Sequence, residues 1–165
     1  MRSMVWFALA IVSLCSALNN AYAVSGDFEG KRFKAWTGSC ESGRQGQNIC
    51  FLEQVLKQNG NDVLRAIIGY APGKPYPTVF FELPSGIDIE AGVALKVDKK
   101  KSIRFQGRCT QVLCSAGFIL NPSMMKQFLK GRTAVVTYSP SVGQQLVRLP
   151  VSLMGVTAGL KALRR

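Results

Sequence analysis

The residues of this sequence that are open to the widest range of chemistry are its cysteines. Cys109 and Cys114 lie five positions apart in the segment RCTQVLCSAG, and Cys40 and Cys50 lie ten positions apart. Such pairs can form disulfides, act as a redox centre or supply thiolates to a metal ion. The fifth cysteine, Cys15, belongs to the apolar segment at the N-terminus.

The spacing within the two pairs favours disulfides. A redox centre is better supported by Cys-x-x-Cys at the start of a helix, where the helix dipole lowers the thiol pKa, whereas strand-like sequence follows Cys114. Four thiolates are a permitted ligand set for zinc, but neither pair has the tight spacing of zinc knuckles. Four cysteines allow three pairings, and the spacing favours Cys40–Cys50 and Cys109–Cys114. The redox and metal interpretations stay open at this point.

Residues suited to catalysis are few. The sequence has no histidine, so it lacks the commonest general base and metal ligand, and nucleophile triads of the usual form are excluded. On a strand, Asp88 and Glu90 would point the same way, although a solvated face or pairing with lysines is the simpler interpretation. Gly73-Lys74 lacks the spacing of a phosphate-binding loop. We expect a protein that is not an enzyme and holds no cofactor and no metal.

The first 23 residues have the pattern of a secretory signal peptide. Arg2 precedes the apolar run VWFALAIVSLCSAL, and AYA ends at Ala23. The run is shorter than the roughly 20 residues that cross a bilayer, and no later stretch is long and apolar enough to do so. Cys15 raises the alternative of a lipoprotein signal, but Leu14 lies where a small residue is expected. We expect cleavage after Ala23 and a periplasmic, extracellular or surface-associated mature chain without a transmembrane segment.

Cleavage would leave residues 24–165 as a single domain. This 142-residue chain has a formal net charge of +11 rather than +12, because Arg2 is the one charged residue of the removed segment. Such an excess favours anionic partners such as lipopolysaccharide, phospholipid or acidic polysaccharide, and export argues against nucleic acid. Self-repulsion that keeps a basic protein soluble is the alternative explanation. Four cysteines, an even number, are typical of disulfides in an exported domain.

Most of the remaining sequence predicts short β-strands. Asn59-Gly60 between NICFLEQVLKQ and DVLRAIIGYA is a strong hairpin signal. A helix is predicted after Asn121, which can cap it, with Pro122 in its first turn and Gly131 at its end. GVTAGLKAL predicts a second helix with one apolar stripe. Nine or so strands with one or two short helices predict an all-β fold, a β-sandwich stapled by two disulfides.

A basic cluster is the most promising surface for a partner. It follows the alternating segment GVALKVD and comprises Lys99, Lys100, Lys101, Arg104 and Arg108. In a hairpin, the lysines would lie at the tip, and the two arginines would share one strand face. An anionic headgroup, a sugar acid or an acidic protein can dock on such a cluster. The alternative is a charged turn that prevents edge-to-edge aggregation.

Four blocks follow one another from about Phe33 to Leu163: WTGSC followed by CFLEQ, then LPSGIDIEAGVALKVD, RCTQVLCSAG and PVSLMGVTAGLKAL. With these blocks in this order, the chain resembles the invasion-associated locus B (IalB-like) family of exported alphaproteobacterial proteins. Ala35 lies where members often have an acidic residue, and Val156 lies where phenylalanine is common. Both departures look structural and leave the resemblance intact.

The resemblance implies a periplasmic or surface-associated β-sandwich with structural disulfides and a name taken from host-cell invasion. It supplies no catalytic residues. The leading hypothesis is therefore a non-enzymatic exported interaction protein, contributing to invasion or to envelope function. Its partner would be an unknown protein or an anionic component of the envelope or host surface. The alternatives are a periplasmic binding module or inhibitor for an anionic ligand and, with least support, a thiol oxidoreductase.

Overall fold

A computed structural model describes residues 27–43 and 46–164. The predicted signal peptide, residues 1–23, lies outside these ranges. The described chain forms eleven strands and two helices. They are β1 (Arg32–Phe33), β2 (Trp36–Ser42), β3 (Asn48–Gln58), β4 (Asn61–Gly69), β5 (Thr78–Pro84), β6 (Val93–Val97), β7 (Ile103–Phe105), β8 (Gly107–Cys109), β9 (Leu113–Ile119), α1 (Pro122–Lys130), β10 (Thr133–Tyr138), β11 (Val147–Ser152) and α2 (Val156–Leu163).

The strands form two antiparallel sheets. One has seven strands in the order β1-β2-β3-β4-β5-β9-β8, and the other has four in the order β11-β10-β6-β7. The predicted all-β sandwich with two short helices is confirmed. Eleven strands form rather than nine, because the segments RFKAWTGSCE and SIRFQGRC each divide into two strands. In SIRFQGRC the two strands belong to different sheets.

The core lies between the two sheets and follows from the alternation of apolar residues along the strands. Leu52, Ile68 and Phe81 of the seven-stranded sheet are buried, as are Leu95 and Val136 of the four-stranded sheet. Full burial of one such side chain stabilises the fold by about 1.5–3 kcal/mol. The helices add the buried side chains of Met124, Phe128, Val156 and Leu160.

The predicted hairpin turn and helix caps are present in the structure. Asn59 and Gly60 join β3 to β4 with φ angles of 51° and 82°, which is the backbone conformation of a type I′ hairpin turn. The side chain of Asn121 accepts a hydrogen bond of 3.0 Å from the backbone N–H of Met124 at the start of α1. At the end of α1, the N–H of Gly131 donates to the carbonyl of Gln127 over 2.7 Å.

A buried amide links the two sheets. The Nε2 of Gln54, in β3, donates to the carbonyl of Ser152 in β11 over 3.0 Å, and the N–H of Ser152 donates to the Oε1 of Gln54 over 2.9 Å. The Nε1 of Trp36 donates to the same carbonyl over 2.8 Å. Because β11 is an edge strand, these bonds pair backbone groups that no neighbouring strand reaches.

Candidate functional site

The four described cysteines form two cross-strand disulfides. Cys40–Cys50 joins β2 to β3 and Cys109–Cys114 joins β8 to β9, with Cα–Cα distances of 4.0 and 3.9 Å. In both pairs the partners lie directly opposite one another in the ladder. The predicted local pairing is confirmed. None of these cysteines begins a helix, the position that lowers a thiol pKa, so the redox interpretation loses its main structural support.

Carboxylates in the described chain act mostly as structural hydrogen-bond and ion-pair partners. The guanidinium of Arg65, in β4, contacts Glu53 of β3 at 2.7 Å, Glu82 of β5 at 3.3 Å and Glu41 of β2 at 3.4 Å. Burial lowers the pKa of Arg65, but the hydrogen bonds and negative charges of Glu53 and Glu82 outweigh burial and raise that pKa. Arg65 therefore pairs with all three carboxylates of this cluster, and none of the three is left unpaired to act as a general acid or base.

Asp88 and Glu90 do not lie on a strand, which makes the strand-based prediction for them wrong. The segment after β5 forms turns, and Asp88 makes an isolated bridge with Ser139 through a 3.0 Å backbone hydrogen bond. The Oδ1 of Asp88 accepts from the N–H of Ala91 over 3.1 Å. The backbone bridge from Asp88 to Ser139 fixes the position of this segment, so the alternation of side chains along a strand does not apply to it.

The β6–β7 hairpin presents the lysine-rich turn as predicted. Val93 pairs with Phe105 and Leu95 pairs with Ile103, so the exposed Lys99, Lys100 and Lys101 lie in the connection. Asp98 begins this turn at a φ of 47°, and its carboxylate accepts from the backbone N–H groups of Arg132 and Thr133 over 3.1 and 3.0 Å. Asp98 thus fixes the turn against the segment that follows α1.

Arg104 and Arg108 do not share a strand face, so that prediction is wrong. Arg104 pairs with Ala94 in the four-stranded sheet, whereas Arg108 pairs with Ser115 in the seven-stranded sheet. The chain crosses between the sheets at Gln106, which lies between β7 and β8. The structure therefore separates Arg108 from the rest of the predicted cluster.

Helix α1 adds two cations that the sequence analysis missed. A depression of about 360 Å³ is lined by Lys100 together with Lys126 and Lys130, and by one carboxylate, that of Asp98. Their i, i+4 spacing places both on one side of α1, and this charged stripe beside the buried Met124 and Phe128 is the signal that could have found them. We call the exposed side chains around Lys100 the basic face. It comprises Lys100, Lys101, Arg104, Lys126 and Lys130.

An open groove of about 570 Å³ adjoins this depression. It lies where β7, the end of β9 and the start of α1 meet, and Lys100, Lys101 and Arg104 line it. We call it the amphipathic groove, because it also has apolar lining residues. These are Ile103, Phe105, Phe118, Ile119 and Met124. In the described part of the chain no acidic residue lines the groove, and none of the cations of the basic face has an ion-pair partner.

Fold and site together define a class: an antiparallel β-sandwich that is stapled by two disulfides and carries a basic, partly apolar groove. In the described residues, neither α1 nor α2 has the length and apolarity to cross a membrane. The family model described as Invasion associated locus B (IalB) protein matches residues 36–164. The chain belongs to this family, which confirms the resemblance seen in its sequence.

A solved structure has the same fold. The chain is similar to the crystal structure of invasion associated protein b from Bartonella henselae, with a TM-score of 0.69 and 19% sequence identity. The match covers 81% of this chain and 93% of the other chain. At that identity the likeness concerns the fold alone. No curated protein matches the sequence significantly.

Proposed function

We propose that this protein is an exported, non-enzymatic interaction protein that attaches through its basic face to an anionic component of the bacterial envelope or of a host surface. The observation that carries this proposal is the convergence of five exposed cations from two elements, the β6–β7 turn region and α1, on adjoining depressions. Convergent positive charge attracts polyanions and raises the rate of association. Membership of a family named for invasion supports a role at the host or envelope surface.

A non-enzymatic role is supported by the chemistry of the side chains. The sequence has no histidine, and the four described cysteines are oxidised. Seven of the nine carboxylates make the ion pairs or backbone hydrogen bonds expected of structural residues. They are Glu29, Glu41, Glu53, Asp62, Glu82, Asp88 and Asp98.

Export is proposed from the N-terminal pattern and the disulfides. Residues 1–23 would be removed as a signal peptide, leaving residues 24–165 as one domain. Two disulfides are typical of an oxidising compartment such as the periplasm or the cell exterior.

The protein purified from the native envelope fraction is expected to have the mass of residues 24–165 with two disulfides. Alkylation should add label at four cysteines after reduction and at none before it. Intact-mass spectrometry of the alkylated protein, with and without prior reduction, measures both quantities. A chain that still carries residues 1–23 would contradict export, and label incorporated before reduction would contradict the structural role of the cysteines.

Charge removal from the basic face is expected to weaken polyanion binding by about 100-fold. The variant Lys100→Gln/Lys101→Gln/Arg104→Gln loses three cations, each contributing about 1 kcal/mol near an anionic surface. Heparin serves as the probe, and titrations at several salt concentrations give the affinity. For the wild-type protein, binding should weaken steeply as salt rises, since the Debye length falls to about 8 Å at 0.15 M.

The matched control removes the same charge elsewhere. Lys31→Gln/Arg148→Gln/Lys161→Gln changes three exposed cations that line neither depression. It should keep most of the wild-type affinity. Equal losses in the two triple variants would show that net charge alone drives binding and would refute a defined basic face.

A second candidate function, a binding module for an anionic ligand, is favoured by the amphipathic groove. A concave site with convergent lysine and arginine side chains is what such a module requires. Lys100, Lys101 and Arg104 converge there. The two functions are compatible, because the groove forms one end of the basic face.

A further inference from the structure

We propose that the amphipathic groove binds a single-chain phosphorylated lipid, with the acyl chain on its apolar residues and the phosphate held by Lys100, Lys101 and Arg104. The inference rests on the proposed function, because it assigns a ligand class to one end of the basic face. It commits to a lipid rather than to a polysaccharide or a peptide.

The apolar part of the groove is exposed hydrophobic surface that continues from the core. Ile119 is 57% exposed, and Ile103, Phe105 and Phe118 are half-buried. The rings of Phe105 and Phe118 lie 4.9 Å apart between centroids, so they form one continuous wall where the two sheets meet. Clustered exposed apolar side chains that are rimmed by polar ones mark binding sites more often than isolated ones do. An acyl chain would remove this surface from water.

The charged part of the groove selects an anionic headgroup. Lys100, Lys101 and Arg104 are exposed and have no ion-pair partner in the described chain. The planar guanidinium of arginine donates two parallel hydrogen bonds to a phosphate, and lysine adds a point charge. Asn121 and Ser123, at the start of α1, also line the groove. The first turn of α1 has no acidic residue to offset the positive end of the helix dipole.

The two parts together favour an anionic amphiphile over simpler ligands of the groove. A sulfated or phosphorylated polysaccharide would pair the cations but leave the apolar wall in water, whereas a neutral amphiphile would do the reverse. An anionic lipid satisfies both. The volume of about 570 Å³ lies in the usual range for small-molecule sites, about 300–1,000 Å³, and the groove is open to solvent.

The test measures affinity against chain length. Hexyl, octyl and decyl phosphate are titrated into the protein by calorimetry, below their critical micelle concentrations, with inorganic phosphate and octyl glucoside for comparison. Affinity should rise about two- to fourfold for each added methylene group, since a fully buried methylene contributes about 0.8 kcal/mol, which equals a fourfold change. Octyl glucoside, which lacks the charge, should bind at least tenfold more weakly than octyl phosphate.

A second experiment blocks the groove with a bulky side chain. Ser123→Trp places a large ring at an exposed position that lines the groove, without changing charge or core. Because Ser123 also lines the depression beside Lys126, the readout of this variant is the dependence on chain length, which we expect it to abolish. Ser85→Trp, at an exposed turn position that does not line the groove, is the matched control and should behave as wild type. Circular dichroism checks that both variants are folded.

The outcomes separate this inference from the proposed function. Equal affinity for all three alkyl phosphates, or undiminished chain-length dependence in Ser123→Trp, would overturn the lipid site. If wild-type protein still bound heparin through the basic face, the proposed function would stand without it. If the two triple variants lost heparin affinity equally while the chain-length dependence remained, attachment to a polyanion through the basic face would be refuted. The lipid site would then stand.

Discussion

Replacing Gln54 with leucine is expected to lower the free energy of unfolding by about 2–3 kcal/mol. Leucine has a similar volume but cannot pair the N–H of Ser152, and an unpaired buried backbone group costs about 1–3 kcal/mol. The lost bonds join β3 to β11, residues 98 positions apart, so the substitution weakens the link between the two sheets. Urea denaturation, followed by circular dichroism, measures the change.

The control for this prediction is Gln58→Leu. Gln58 lies on the same strand but is exposed, so its replacement should change stability by less than about 0.5 kcal/mol. A second variant, Trp36→Phe, removes the other hydrogen bond to the Ser152 carbonyl. Combined with Gln54→Leu, it should show a non-additive loss, because both side chains share one backbone partner. Near-wild-type stability of Gln54→Leu would mean that water replaces the amide.

Replacing Gly155 with alanine is expected to destabilise the fold by more than about 3 kcal/mol, the range of substitutions that force a special backbone conformation and a steric overlap. Gly155 has a φ of 108° and precedes α2, and a Cβ there would lie 1.7 Å from the carbonyl oxygen of Phe33. The helix would have to move away from β1 to admit it. Thermal and urea unfolding of Gly155→Ala measure the loss.

The variant Gly60→Ala distinguishes the cost of backbone strain from the cost of steric overlap. Gly60 has a φ of 82°, but a Cβ there would meet no atom within 4 Å. Its replacement should therefore cost only the conformational penalty of a left-handed residue, about 1–2 kcal/mol. If Gly155→Ala were no more destabilising than Gly60→Ala, close packing of α2 against β1 would not be needed for stability.

Gly155 lies in one of the blocks by which the sequence resembles its family. In PVSLMGVTAGLKAL, Gly155 lets the chain pass close to Phe33, and Gly159 lets α2 approach the side chain of Leu52. A Cβ at Gly159 would lie 2.4 Å from Leu52 Cδ2. In this chain, the two glycines of the block therefore allow α2 to pack closely on the seven-stranded sheet.

Features that depend on near neighbours in the chain were predictable from the sequence. Asn59-Gly60 forms a type I′ turn, one of the two turn types that match the twist of a two-residue hairpin. Asn121 caps α1 because its acceptor lies three residues from the donor. The spacing of Cys109 and Cys114 favoured a local disulfide, and β8 and β9 bring them together directly.

Contacts between residues far apart in the chain could not be predicted from the sequence, because they depend on how the sheets and helices pack. The alternation of side chains along a strand predicts one shared face for Arg104 and Arg108. The chain instead crosses between the sheets at Gln106, which separates them. Nothing local to Lys126 indicated that α1 would bring it beside Lys100, and the same holds for the bonds from Gln54 to Ser152. The amphipathic groove arises in the same way, since its apolar and basic residues come from both sheets and a helix. Most strands, the Asn59-Gly60 turn, the Asn121 cap and the local cysteine pairs could be predicted, because each depends on a few neighbouring residues. The packing of the sheets and α1 determined which side chains share a surface.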